Sequence, residues 1–238
     1  MGSMDNTLVS VIVPTYNEEK YLEETLLNVR SQTYKNIEII VSDGCSTDRT
    51  TGVAKKHADC VIVKKTNIAA ARNLGARYAK GDILVFLDAD SSLEPVWIES
   101  TLKFFRKTDA DIIFGPVKPK GGDIRSEFIC KLGWDLIPRL FTRAGFPQFS
   151  GVSMAIRKAA FERIGGFRES MNATEDIDMG FRIRKCGKVA FNKNVCCYTS
   201  MRRFENGGYS FWVARWMVDW INYIFTKKSS FSEYPIFR

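Results

Sequence analysis

Along its first 90 residues the chain alternates short apolar runs with longer stretches that carry apolar positions at helical spacing. Residues 8–14 form an apolar run that ends at a turn, and residues 19–31 follow with a helical pattern, so the segment reads as a βα unit. The rhythm then repeats. Residues 36–42 read as a strand, 47–57 as a helix opened by Thr47 or Asp48, 60–64 as a short strand, 69–80 as a helix, and 83–87 as a fourth buried strand. Strands separated by helices of this length predict parallel pairing with right-handed crossovers, so the loops that follow the strands gather at one edge of the sheet. Ligands of such sheets bind at that edge.

The run Ile83-Leu84-Val85-Phe86-Leu87 ends in Asp88-Ala89-Asp90. Side chains alternate along a strand, so Asp88 and Asp90 point the same way from its mouth. Hard divalent cations favour such carboxylates and keep positions open for substrate phosphates, although an Asp that simply begins a loop gives the same string.

At 238 residues and 45% apolar, the chain can bury a full core as one globular domain, a composition that argues against disorder. Its 35 basic residues against 27 acidic ones give a formal charge of +8. That excess suits a phosphate-rich ligand, nucleic acid or an anionic membrane surface, and does not choose among them. Six cysteines without a Cys-x-x-Cys pair, and His57 as the single histidine, argue against zinc. The cysteine spacing and the absence of a secretory signal lead us to expect a reducing, cytoplasmic setting, with Met1-Gly2-Ser3 as an expression scar.

The first βα turn holds Pro14-Thr15-Tyr16-Asn17-Glu18, with neither Gly-x-Gly-x-x-Gly nor a Walker-type loop. Dinucleotide oxidoreductases and P-loop ATPases lose their main support. The expected sheet edge instead collects acids and an aromatic, among them Tyr16, Glu18, Asp43, Asp88 and Asp90.

Four ordered strings, VSVIVPTYNE at 9–18, VSDGCSTD at 41–48, ARNLG at 71–75 and GDILVFLDAD at 81–90, resemble the successive signatures of family 2 glycosyltransferases. Later, GVSMAIRK at 151–158, GGF at 165–167 and TEDID at 174–178 are similar to that family's acceptor half. The resemblance implies an α/β glycosyltransferase A-type fold, with a Rossmann-like, mostly parallel sheet flanked by helices, and inverting transfer of a sugar. It also implies a catalytic domain over 4–200, divided into a nucleotide-binding half at 4–90 and an acceptor half at 91–200.

In that pattern Pro14, Thr15, Tyr16 and Glu18 line the nucleoside pocket and Asp43 reads the base. An ionised Asp only accepts hydrogen bonds, so it favours the ring N–H of uracil or guanine, and a UDP- or GDP-sugar is the expected donor. The resemblance directs Arg72 to the nucleotide and Asp88 to the ribose, with Ala89 in the same nucleotide-sugar-binding set. It gives Asp90 to a Mg²⁺ or Mn²⁺ ion that neutralises the departing diphosphate. Asp176 is the expected base, with Glu175 and Asp178 as orienting or acceptor-binding groups, and Thr174 is the expected N-cap of their helix. With a polyprenyl-phosphate acceptor in place of a hydroxyl, Asp176 would position rather than deprotonate.

Gly151 opens a strand to Arg157 and borders either ligand or a bulge. Arg202 and Arg203, ahead of the glycine-rich Gly207-Gly208, are candidates to close over the diphosphate. Residues 121–147 mix Phe128, Leu132, Trp134 and Phe141 with Lys and Arg, as an amphipathic lid or membrane-facing helix does.

Eleven of the 30 aromatics fall within the last 38 residues, which form a separate basic segment at 201–238. Over 209–225, Trp212, Trp216 and Trp220 recur at i+4 and predict a helix with a wide apolar face. Such a helix is short for a bilayer span and suits either the membrane surface or the protein's own core. Trp212-Val213-Ala214-Arg215-Trp216 is similar to the Gln-x-x-Arg-Trp motif of processive family members, but Trp212 replaces the Gln. The expected setting is thus peripheral, at the cytosolic membrane face, with a glycan, lipid-linked or polyprenyl-phosphate acceptor. The alternatives are a nucleotidyltransferase of similar sheet and a basic nucleic-acid-binding module. The first lacks its glycine-rich loop, and acids at the expected cleft repel a nucleic acid.

Overall fold

The computed structural model describes residues 6–145, 151–171 and 173–228. The Met1-Gly2-Ser3 leader, Pro147 at the end of the expected lid and the tail beyond 228 lie outside the described residues.

Four strands, β1 (Val9–Thr15), β2 (Ile37–Asp43), β3 (Cys60–Val63) and β4 (Ile83–Leu87), pair in parallel in the order β3-β2-β1-β4. Every residue of β1 and β4 is buried, because helices cover both faces of the sheet. On these faces lie α1 (Leu22–Arg30), α2 (Thr50–His57) and α3 (Ile68–Tyr78). Helix α1 starts three residues later than expected, and α2 starts at Thr50. In α2, Asp48 accepts from the Thr50 amide at 3.0 Å and caps the first turn.

The sheet continues beyond β4 with β8 (Ser153–Arg157), which runs antiparallel to both β4 and β6 (Ile112–Phe114). A parallel β9 (Val189–Phe191) closes the edge, so the seven-stranded sheet is mostly parallel. A second sheet orders β5 (Ser91–Leu93), β10 (Cys197–Thr199) and β7 (Val117–Pro119). It brings residues 197–203 beside Asp90, a long-range placement that local periodicity does not encode. Helix α4 (Trp97–Thr108) packs its apolar side on the main core through Trp97, Leu102 and Phe105.

Residues 124–143 are helical, as expected for the lid, but in three pieces: α5 (Ile124–Lys131), a π turn (Leu132–Leu136) and α6 (Ile137–Arg143). Pro138 has no amide to donate to the preceding turn, and the widened turn there lets the Ile137 amide reach the Leu132 carbonyl instead. After the short α7 (Lys158–Arg163) and α8 (Glu175–Arg184), the chain ends in α9 (Arg202–Gly207) and α10 (Tyr209–Thr226). Helix α10 packs one side on the protein itself: Trp216 meets Trp134 at 5.1 Å, Trp220 meets Phe141 at 5.8 Å, and the Tyr223 hydroxyl donates to Asp178 at 3.0 Å.

Candidate active site

The ends of β1, β2 and β4, the start of α8 and the segment after β10 surround one cavity of about 1320 Å³. From the sequence-derived set, Tyr16, Arg72, Asp88, Asp90, Gly151 and Glu175 line it. So do Asp176, Arg202 and Arg203. Pro14, Thr15, Glu18, Asp43 and Ala89 are not among its lining residues.

Asp43 is almost fully buried. Its carboxylate accepts from the Thr15 hydroxyl at 2.8 Å, the Ser46 amide at 2.8 Å and the Ser46 hydroxyl at 2.6 Å. These bonds tie β1 to the loop after β2 and present Tyr16, Gly44 and Cys45 to the cavity.

Arg72 is only 2% exposed. It donates to Glu175 at 2.6 Å, to Asp88 at 2.9 Å and to the Gly151 carbonyl at 3.1 Å. A side-chain carbon on Gly151 would sit 2.7 Å from that guanidinium, so the glycine permits the close approach. The Gly151 amide in turn donates to Asp176 at 2.6 Å. One arginine and one glycine thus bind the mouth of β4 to the start of α8. Burial opposes the charge on Arg72, but Asp88 and Glu175 hold its pKa above the ordinary value.

Burial pushes the Asp176 carboxyl up to about 7, and the charge of Glu175 adds to it; Arg72 opposes. An acid poised there changes protonation near neutrality, as a general base requires. The expected cap of this helix is not formed. Thr174 takes left-handed backbone angles (φ 62°) and its hydroxyl donates to Ala173 at 2.6 Å. Asp176 itself accepts from the Ile177 amide at 2.7 Å. A β-branched residue in that conformation costs of order 1–3 kcal/mol, and such strain concentrates at functional sites. Asp178 turns away from the cavity. It pairs with Arg168 at 2.9 Å and Arg182 at 2.6 Å, so its role is to anchor α10 through Tyr223 rather than to orient a base.

Arg202 reaches across the cleft to Glu18 at 2.5 Å and Asp90 at 3.1 Å, and its guanidinium lies 4.5 Å from the centre of the Tyr21 ring. Arg203 instead lies over Trp212 at 5.5 Å. Burial raises Asp90; Arg202 lowers it, and Asp88 adds to the rise. Burial also raises Glu18, again against Arg202. No cluster of three or more His, Cys, Asp or Glu suited to a metal occurs among the described residues. The carboxylates nevertheless fit a cation that takes one or two protein oxygens and completes its shell with phosphate and water. Glu18 Oε2 is buried without a hydrogen-bond partner among the described residues, and Asp88 and Asp90 carry like charges into the same cleft.

Lys65, Thr66 and Asn67 after β3, and Thr199 and Ser200 at the end of β10, also line the cavity and were not among the sequence candidates. The first group was accessible through the same edge rule that selected the other loops. The second depends on the pairing of β10 with β5.

The model of glycosyl transferase family 2 matches residues 10–165. The chain belongs to this family. An uncharacterized glycosyltransferase of Rickettsia typhi is 30% identical over 202 residues, covering 79% of this chain and 62% of its own length. The validoxylamine A glucosyltransferase of Streptomyces hygroscopicus subsp. limoneus is 29% identical over 219 residues, covering 76% and 48%. The chain therefore spans less than two thirds of each of these relatives.

Among solved structures, Staphylococcus aureus TarS 1–349 in complex with UDP-GlcNAc superposes with a TM-score of 0.66 at 22% identity, covering 81% of this chain and 58% of that one. The Pyrobaculum calidifontis mannosyltransferase PcManGT, in complex with GDP-Man and Mn²⁺, gives 0.65 at 24%, covering 82% and 57%. The shared fold is the glycosyltransferase A type, with the mostly parallel sheet expected of this family 2 member.

Proposed function

We propose that this family 2 chain carries out inverting transfer of a sugar from a UDP- or GDP-sugar to an acceptor hydroxyl or polyprenyl phosphate. The observation that carries this reading is the meeting of Asp88 and Asp90 with Glu175 and Asp176 around one cavity, joined through Arg72 and Gly151. The neighbours' UDP-GlcNAc and GDP-Man complexes support the donor class.

In this reading the nucleoside lies against Tyr16 and the loop of Gly44 and Cys45, with Asp43 as the group that selects the base. The diphosphate faces Asp90, Arg202 and Arg203. Asp90, assisted by Asp88 and Glu18, would hold a Mg²⁺ or Mn²⁺ ion, which supplies neutralisation of the diphosphate charge. The acceptor oxygen forms its bond to the anomeric carbon as the bond to the nucleoside diphosphate breaks. Asp176 takes the hydroxyl proton, and the bonding electrons leave with the diphosphate.

No helix among the described residues is long and apolar enough to cross a membrane. Phe211, Val218, Ile221 and Phe225 form an exposed apolar strip on α10, which supports peripheral contact of this helix with a membrane, in our reading its cytosolic face.

Thermal-shift titration with UDP, GDP, CDP and ADP, each with and without Mn²⁺, tests the donor reading. Stabilisation by UDP or GDP that requires the metal is expected, since a ligand that binds the native state stabilises it according to occupancy. Equal response to all four, or to none, would overturn it.

A further inference from the structure

We infer that the acceptor carries a long apolar chain, and that this chain lies in the part of the cavity walled by α5, the π turn, α6 and α10. The inference rests on the transferase reading and specifies its substrate class.

Size is the first argument. Pockets that enclose a small-molecule ligand usually span about 300–1,000 Å³. The cavity here, at about 1320 Å³, exceeds that range, and its chemistry divides along its length. Around Asp88, Asp90, Asp176 and Arg202 it is charged. Beyond them its walls are Phe128, Leu132, Ile137 and Phe141 on one side and Trp216, Met217 and Trp220 on the other, with the buried Asp219 also on the α10 side. Sugars and bases stack on the rings among these walls, but Leu132, Ile137 and Met217 offer them neither a ring face nor a hydrogen bond, whereas a hydrocarbon chain gains from every one of these contacts.

The second argument is the layout of α10, which presents apolar groups on more sides than its packing needs. Trp212 and Tyr223 face the protein and are buried. Val213, Trp216, Met217 and Trp220, at i, i+3, i+4 and i+7, face the cavity. Phe211, Val218, Ile221 and Phe225 face outward. A helix that only packed on its own core would place polar groups on the second and third of these sides. The cavity-facing side is also continuous with the candidate base, since Asp176 and Trp216 bound the same space. A flat membrane contact explains the outward strip but gives no reason for a concave apolar wall that leads to a carboxylate.

The test uses butyl, octyl and dodecyl phosphate as probes, each kept below its micelle-forming concentration and without vesicles. Binding is read from tryptophan fluorescence, to which Trp134, Trp216 and Trp220 contribute. Affinity is expected to rise with chain length, by about three- to fourfold for each methylene that enters the groove. Phe128→Asp and Met217→Asp should abolish that dependence. Both side chains are largely exposed, at 66% and 59%, so the fold tolerates the changes. Stabilisation by UDP or GDP with Mn²⁺ should persist in both variants. Equal binding of butyl and dodecyl phosphate, or chain dependence that survives both substitutions, would overturn the inference. Failure of the transferase reading shows separately, as loss of nucleotide response in the wild-type protein while chain binding remains.

Discussion

The Arg72 guanidinium lies 2.6 Å from Glu175 and 2.9 Å from Asp88, joining residues 103 and 16 positions away in the chain. Removing one partner from a buried ion pair leaves an uncompensated charge, at a cost of about 3–5 kcal/mol. Arg72→Ala should therefore lower the melting temperature strongly in a thermal-unfolding scan. Arg72→Lys should recover little of the loss, because an ammonium does not reproduce the planar fork that spans Glu175, Asp88 and the Gly151 carbonyl. Full stability in the lysine variant would show that charge alone suffices.

Gly151→Ala probes the same junction without changing any charge. The added carbon would meet the Arg72 guanidinium at 2.7 Å and 2.9 Å, so the arginine or the turn must shift. Overpacking of this kind costs about 1–3 kcal/mol. Chemical denaturation should show that loss, and transfer should fall as well because the Gly151 amide positions Asp176.

Asp176 gives a pH signature. With its carboxyl pushed up to about 7, it is protonated below that pH and ready to accept a proton above it. Transfer to a hydroxyl acceptor should therefore rise through about pH 7, and Asp176→Asn should abolish transfer while nucleotide stabilisation remains. The stability effect has the opposite direction. The native state keeps its proton to higher pH than the unfolded chain, so stability should decline as pH rises from the ordinary carboxyl range, near 3.8, through about 7, and then level off. Asp176→Asn should flatten that decline, which paired thermal scans across the window would detect.

Arg202 neutralises Glu18 and Asp90 across the cleft. Arg202→Ala should leave those carboxylates with more negative potential and tighten Mn²⁺ binding to the nucleotide-free protein, measured by calorimetry. Turnover should fall by about 10²–10³, the usual consequence of losing one charge-stabilising donor. Asp90→Asn should weaken Mn²⁺ binding. Unchanged Mn²⁺ affinity in both variants would remove these groups from the metal site.

How much of this was legible in the chain differs from element to element. Val9–Thr15 and Ile83–Leu87 were readable because both faces of a central parallel strand are buried, which writes itself as an unbroken apolar run. The carboxylates Asp88 and Asp90 follow directly from where the second run stops. The short strands Ser91–Leu93, Ile112–Phe114, Val117–Pro119 and Cys197–Thr199 were not legible. Three residues carry too little periodicity, and their pairing is decided by partners more than 20 positions away in the chain. For the same reason Arg202 could be named as a candidate but not joined to Glu18, 184 residues away.

Local order along the chain was thus sufficient for the βα rhythm, the sheet edge and the family motifs, since each depends on the chemistry of neighbouring residues. The roles within the site required folding. Asp43 also braces a loop, Asp178 anchors α10, and Arg72 is a buried junction, because the environment of a charged side chain is set by residues remote in sequence. The apolar face of residues 209–225 was compatible with a membrane or with the core; close packing divided it into a buried side, a cavity wall and an exposed strip.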